Sequence, residues 1–279
     1  MLRSTWHVFA DVKTAEDLRL PVPDLVARAD GQRAAQTVVI PSSPEMAAYV
    51  ARLGERAERV RSRAVTPEED NMLKISTDGR KAALDMRLIS GEPSSSTSKL
   101  DVAADTIARV WREHRDRSYI DPGTGERSPI PGALQIVFCD LSTPSQRWNA
   151  YDELRALLHA RGVPREQVRF IHEAGNDQEK ARLFAACRAG RVGVIVGSTQ
   201  KMGVGTNIQD RCIAIHDVDC PWRPSDLEQR HGRGVRQGNQ NPEIALFRYV
   251  VEGSFDAYSW QTVERKARVA AQASLECET

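Results

Sequence analysis

No run in this sequence approaches the roughly eighteen consecutive apolar residues that a membrane-spanning helix needs, so no membrane partner is expected. The opening stretch, MLRSTWHVFADVK, has no apolar segment of the kind that marks a secretory signal. Neither sign of charge is in excess: Lys and Arg number 39 against 38 for Asp and Glu, a net charge of +1. Any basic surface for a polyanion must therefore be local. Cysteine is sparse, with 5 residues (Cys139, Cys187, Cys212, Cys220 and Cys277) and no C-x-x-C pair. Neither a disulfide framework nor a metal site is expected, and a reducing cytoplasm is the expected location. Cys139 lies in an apolar run and reads as a small buried residue. No internal repeat is evident.

What is present suits a domain of ordinary size with a substantial appendage: 279 residues, 41% apolar and 28% charged. Apolar runs of strand length recur at 36–40, 133–141, 168–172, 192–197, 212–219 and 244–251. Most are continuous rather than alternating, which marks strands covered on both faces, as in a parallel sheet. Helical patterns lie between them. RWNAYDELRALLHARG sets Tyr151, Leu154, Leu157 and Leu158 on one stripe and stops at Gly162. DQEKARLFAACRAG starts at Asp177, taken as its cap, and ends at Gly190. Strand and helix in alternation imply βαβ units, so residues 98–279 read as one doubly wound α/β domain. Residues 1–97 read as a mainly helical extension with QTVVI as its one strand. GEPSSSTS at 91–98 reads as a loop or mobile linker, and 117–132 as a long turn-rich loop. Residues 255–276 read as a closing helix whose apolar face (Phe255, Tyr258, Val263, Ala267, Ala270) must pack on something.

Two segments carry chemistry. In QRHGRGVRQGN at 229–239, Arg230, Arg233 and Arg236 recur every three residues. On a helix beginning after SDLEQ, capped by Ser225 or Asp226, they share one side, where like charges repel. Gly232 and Gly234 each cost roughly 1 kcal/mol in a helix interior. Such a segment either holds an anion, allows a close backbone approach, or is a solvated basic face. The second segment, VGVIVGSTQKMGVGTNIQ at 192–209, runs from a buried strand directly into Gly, Ser and Thr. Free backbone N–H groups and hydroxyls after a parallel strand suit phosphate; the alternative is a tight turn without a ligand.

These residues resemble superfamily 2 helicases of the Swi/Snf type. Gln229, Arg230, Gly232, Arg233 and Arg236 match motif VI in full; Gly238 continues it, and Asn239 departs conservatively. Ser198, Thr199, Gly203, Gly205 and Asn207 match motif V, with Met202 standing where the family often has another glycine. ALQIVFCDL resembles the motif IV strand. CIAIHDVDCPWRPSDLEQ resembles the join between motifs V and VI, and DVKTAEDLRLPVP with the strand and helix after it resembles the entry to the second motor lobe. The chain is similar, too, to the helicase part of large methylase-helicase proteins of mobile elements.

The resemblance implies the C-terminal RecA-like lobe of an ATP-dependent motor. Residues 1–97 would include the linker from a first lobe, and 98–279 would be the lobe itself. Arg233 and Arg236 would be arginine fingers, and Gln229, Gly205 and Asn207 would lie at or couple to the nucleotide. Ser198, Thr199 and His172 would contact nucleic acid, DNA ahead of RNA, although a structural histidine at the end of a strand explains His172 equally well. Trp222 is expected in the core, with base stacking as the alternative, and His216 is expected to be structural. No G-x-x-x-x-G-K-[ST] segment exists, nor any Gly-Lys pair, and no Asp-Glu pair follows an apolar strand. ATP with Mg²⁺ would therefore be held mainly by a first lobe, in a longer parent chain or a separate protein, and this chain alone would be inactive. A catalytically inactive nucleic-acid-binding or protein-interaction module, or an unrelated doubly wound enzyme such as a nucleotide-sugar transferase, are the other readings. Intact Arg233 and Arg236 weigh against the module, and the motif VI spacing weighs against the transferase.

Overall fold

The computed structural model describes residues 21–202 and 207–276. The apolar runs become β2 (Gln36–Ile40), β3 (Leu134–Phe138), β4 (Val168–Phe170), β5 (Val194–Gly197), β6 (Cys212–Asp217) and β7 (Glu243–Val251), with a two-residue β1 (Asp24–Leu25) ahead of them. The sheet has the order β1-β7-β6-β3-β5-β4, and every pairing is parallel. β1 pairs with the start of β7 and β2 with its end, so both lie along one edge. β3 is central, and the chain leaves it toward one edge and β6 toward the other. Open α/β sheets bind ligands at such a switch point, outside the carboxyl ends of the strands.

Successive residues of one strand divide between two cores, as the two-residue period of a strand requires. Leu134, Ile136 and Phe138 join Ile195, Ile215 and Leu246 on one face, under Leu183, Phe184 and Cys187 of α6 (Asp177–Arg188). Val137 and Cys139 join Val194, Val196, Phe247 and Tyr249 on the other. That second face is covered by α1 (Pro44–Arg61), α2 (Met72–Leu84), α4 (Lys99–His114) and α5 (Ala150–Ala160), with a short α3 (Arg87–Ser90) between α2 and α4.

The doubly wound α/β architecture is as the sequence implies, with local corrections. The α6 cap is Asn176, whose side chain accepts from the Glu179 N–H; Asp177 is the first helical residue. The positive φ of Gly162 and of Gly190 lets the chain turn off α5 and α6, a conformation costly for other residues.

No break in packing falls at residue 97 among the described residues. β2 completes the sheet, and Met46, Tyr49, Leu53 and Ile75 lie in the same core as Leu100 and Val137. The 91–98 segment is tied down at both ends of its serine run. Ser95 donates to Glu45 of α1, and Ser98 forms a capping box with Asp101 at the start of α4.

The last helix, α8 (Phe255–Glu276), docks through Trp260 and Val263 against Cys220. Phe255 fits because α2 has a glycine facing it, and a Cβ on Gly79 would meet that ring at 2.8 Å. A buried ion pair, Lys99 with Asp256, holds the helix start. Tyr258, expected on the packed face, is exposed instead. Among the described residues no helix is long and apolar enough to cross a membrane.

His216 is structural. Its ring is fully buried between two hydrogen bonds: Nε2–H donates to Gln135 Oε1 at 2.9 Å, and Nδ1 accepts from the Tyr249 hydroxyl at 2.8 Å. The Gln135 amide is oriented by its own bond to the Ile107 carbonyl. Burial pushes the imidazole pKa down to about 3. The folded value lies below the unfolded one, so this neutral histidine stabilises the fold fully above about pH 6.5 and its contribution is lost as pH falls toward 3. Denaturant titrations of the wild type should lose stability faster than those of His216→Gln below pH 6.5. The excess slope should approach about 1.4 kcal/mol per pH unit. Equal slopes between pH 6.5 and 5 would show that His216 is not held neutral.

Candidate functional site at the carboxyl ends of the central strands

The register of the sheet builds this site. Phe138 is level with Gly197 on one side and Asp217 on the other. Two residues further along each strand come Asp140, Thr199 and Asp219, which therefore meet in one row beyond the sheet. The Asp219 carboxylate accepts from the backbone N–H groups of Asp140 and Leu141 at 2.7 and 2.8 Å. The Asp140 carboxylate accepts from the Thr199 N–H at 2.6 Å and from its hydroxyl at 2.9 Å. The loops after β3, β5 and β6 are thereby tied to one another.

Arg230 closes the arrangement. It rises from α7 (Pro224–His231) and is 0% exposed. Its guanidinium donates to Asp217, Asp219 and Asp140 at 2.8–3.0 Å, to the Thr199 hydroxyl at 2.8 Å, and to the Asp219 carbonyl at 2.8 Å. The planar fork of donors suits this task, which a lysine cannot match. Burial alone would lower the Arg230 pKa, but Asp219, Asp217 and Asp140 together hold it well above its ordinary value. Burial likewise raises Asp219. Asp217 resists the same upward push of burial and is held below the ordinary carboxylate value by its bonds to His231 and Arg230.

The helix expected to carry all three arginines stops at His231. It starts at Pro224 with Arg223 as its cap position, not at Ser225 or Asp226. Residues 232–238 form consecutive turns, with Arg233 N–H bonded to the Arg230 carbonyl and Gly234 and Val235 N–H to that of His231. Gly234 explains the break. A Cβ there would meet Ile244 at 2.5 Å and the Cys212 sulfur at 2.8 Å, so only glycine lets the turn sit directly on the sheet. The three-residue spacing therefore does not put the arginines on one helix side. Arg230 points into the fold, Arg233 is half-buried, and Arg236 is exposed. Burial, and then the neighbouring charge of Arg236, lower the pKa of Arg233.

Beside this turn lies an open cleft of about 760 Å³ lined by Asp140, Thr143, His172, Ser198, Thr199, Gln200, Lys201, Asp226 and Gln229. Of the residues singled out in the sequence, Ser198, Thr199, His172 and Gln229 are thus brought together. Ser198 and Thr199 are largely buried, and the Thr199 hydroxyl already serves Asp140 and Arg230. The exposed parts of this turn are Gln200 and Lys201. His172 packs edge-on against Tyr151, and its Nδ1 is buried without a hydrogen-bond partner among the described residues. Burial, then Lys201, lower its pKa, so it meets the cleft as a neutral imidazole. Met202 is fully buried and its N–H closes the turn onto the Ser198 carbonyl. Asn207 is exposed, its carbonyl held by Arg188. Gly203 and Gly205 lie outside the described residues.

Trp222 is not a core residue. It is 50% exposed, and Arg80 of α2 lies over its ring at 4.3 Å. Sequence reasoning missed Asp140, Asp217 and Asp219 as site residues. The available signal was an aspartate at or just beyond the end of a continuous apolar strand, twice in the six residues around HDVD.

Residues 132–238 match the family described as "Helicase conserved C-terminal domain". That segment holds β3 through α7 and the entire site just described, and it is a helicase-like lobe. The chain is 26% identical over 263 residues to the "Defense against restriction protein B" of Escherichia phage P1; the match covers 92% of this chain and 10% of that protein. The chain thus spans about a tenth of the length of this relative. Among solved structures it is similar to the C-terminal part of the Fun30 ATPase domain (17% identity, 47% of this chain and 39% of that one, TM-score 0.39). It is similar also to an S. cerevisiae Dbp5 variant bound to RNA and ADP BeF3 (17% identity, 60% of this chain and 36% of that one, TM-score 0.41). At such overlaps the RecA-like α/β fold rests on the parallel sheet and the family match.

Proposed function

We propose that this chain is the second motor lobe of an ATP-dependent DNA helicase or translocase of the Swi/Snf type, acting in the cytoplasm within a methylase-helicase-like protein of a mobile element. The observation that carries the reading is that Gln229, near the end of α7, shares one cleft at the switch point of the sheet with the Ser198–Lys201 turn, and the chain runs on from it directly into the turns that hold Arg233 and Arg236. Arg233 and Arg236 repel one another, and an anion between or beside them relieves that repulsion. The anion is the γ-phosphate of ATP bound by a first lobe, with Gln229 beside it. Phosphoryl transfer depends on charge stabilisation, which arginines supplied in trans provide. Mg²⁺ belongs to the first lobe, and Asp140, the cluster's carboxylate at the cleft, is already engaged by Thr199 and Arg230. Gly205 and Asn207 couple the nucleotide to the nucleic acid. Ser198 and Thr199 shape the turn that meets the DNA backbone, with the exposed Lys201 and neutral His172 alongside, so binding is independent of sequence.

The lobe should bind a 12-nucleotide oligothymidine weakly, with affinity falling as salt rises, and Lys201→Ala should flatten the salt dependence by about one charge. Fluorescence anisotropy at several salt concentrations measures this. Absence of binding at low salt, or a salt slope unaffected by Lys201→Ala, would remove the cleft from the nucleic-acid path.

A further inference from the structure

Of the three carboxylates around Arg230, Asp140 is the one that lines the open cleft. Its side chain is 28% exposed, against 2% for Asp217 and 3% for Asp219. One Asp140 oxygen accepts from both the Thr199 hydroxyl and Arg230 Nη2, and the other accepts from the Thr199 N–H. On the far side, the Arg230 carbonyl accepts from the Arg233 N–H, and the Gln229 backbone adjoins it directly. A continuous path of hydrogen bonds therefore runs from the cleft turn, through Asp140 and the fully buried Arg230, to the arginine turn.

We infer that Asp140 and Arg230 are positioning residues that make the Ser198–Lys201 turn and the Gln229–Arg236 turn move as one body. The inference rests on the proposed function, since it gives that motor lobe its link between the nucleic-acid side and the nucleotide side. Arg230 has no slack: its five donor contacts are each 3.0 Å or shorter and tie α7 to the end of β6 and to the loops after β3, β5 and β6. A shift of the Thr199 turn must move Arg230 or break charged bonds in a buried site, which is costly. Because Asp140 borders the cleft, an anion arriving there competes with its carboxylate for the Thr199 donors and Arg230, and a main-chain donor competes with them for the carboxylate; either biases the link.

The test follows the arginine Nε–H signals of Arg233 and Arg236 by NMR in the full chain while oligothymidine is added to saturation. In the wild type, the amides of Gln200 and Lys201 and the two arginine signals should shift together. In Asp140→Asn at saturation, the amides should still shift and the arginine shifts should fall at least fivefold. Arginine shifts as large as those of the wild type would overturn the relay. If the wild type binds no oligothymidine, the functional reading fails, and hydrogen exchange without ligand decides the relay separately. The Thr199 and Arg233 amides should then lose protection together, by tenfold or more, in Asp140→Asn. Loss at Thr199 alone would overturn it. Arg230→Lys should reproduce the Asp140→Asn result; if that variant does not fold, Asp140→Asn decides alone, its side chain being partly in solvent already.

Discussion

Purified chain is expected to release no phosphate from ATP above background, with or without DNA. The P-loop lysine and the acidic magnesium ligand of such motors have no counterpart in the sequence. Arginines alone stabilise a transferring phosphoryl group only when another element holds and orients the nucleotide. On the proposed reading, a two-lobed protein that includes this chain should hydrolyse ATP. There, Arg236→Lys should leave ATP binding nearly intact and lower turnover by about 10³-fold or more, the range of an arginine finger. Lysine keeps the charge but loses the planar two-pronged donor. A side chain already exposed in the isolated lobe makes the substitution tolerable to the fold. Two results would sink this account. One is DNA-stimulated phosphate release by the isolated chain that Arg236→Ala abolishes. The other is wild-type turnover in the two-lobed Arg236→Lys protein.

Replacing Arg230 should have the largest effect on stability. In Arg230→Met, the volume is nearly kept but Asp219 remains buried without its cation, and Asp217 is left with His231. Breaking a buried ion pair by removing one partner costs about 3–5 kcal/mol, and here one cation serves several acceptors. The midpoint of thermal unfolding should drop by roughly 10 °C or more. The pH dependence identifies the cause. Without the guanidinium, the folded-state pKa of Asp219, already raised by burial, sits further above its unfolded value. Such a group favours folding below the unfolded pKa and loses that contribution as pH rises through the folded one. The deficit of Arg230→Met relative to wild type should therefore be greatest near pH 8 and narrow toward pH 5. A deficit under 1 kcal/mol, or one independent of pH, would mean that the carboxylates find other partners. The second site substitution Asp219→Asn, made on top of Arg230→Met, should recover part of the loss, because the pair is in direct contact.

Arg230 illustrates how far the sequence carries. The three arginines at three-residue spacing look equivalent on paper, and the helix drawn through them made them one face. The structure gives each a different fate, because the helix ends at His231 and the chain turns with Gly234 against Ile244 and Cys212. Trp222 went the same way: an aromatic residue between a strand and a helix reads as core, yet Arg80, 142 positions upstream, covers one side of its ring and leaves the rest in solvent. The glycines at 232 and 234 were a local signal for the break, but the burial of Arg230 and the exposure of Trp222 had none, since both depend on contacts between segments far apart in the chain.

The sequence by itself determined the parallel sheet, the helices between its strands, the closing helix from Phe255 and the polar turn after β5. Continuous apolar runs, helical periodicity and glycine stops are local properties, and they act before any tertiary contact exists. Only the tertiary structure decided which charges are buried. Register aligned Asp140, Thr199 and Asp219 across three strands that are separated in the chain, and that row gave Arg230 its partners. The same long-range packing drew residues 36–90 into the core, because β2 pairs along the edge of β7 and the apolar faces of α1 and α2 are buried against the sheet.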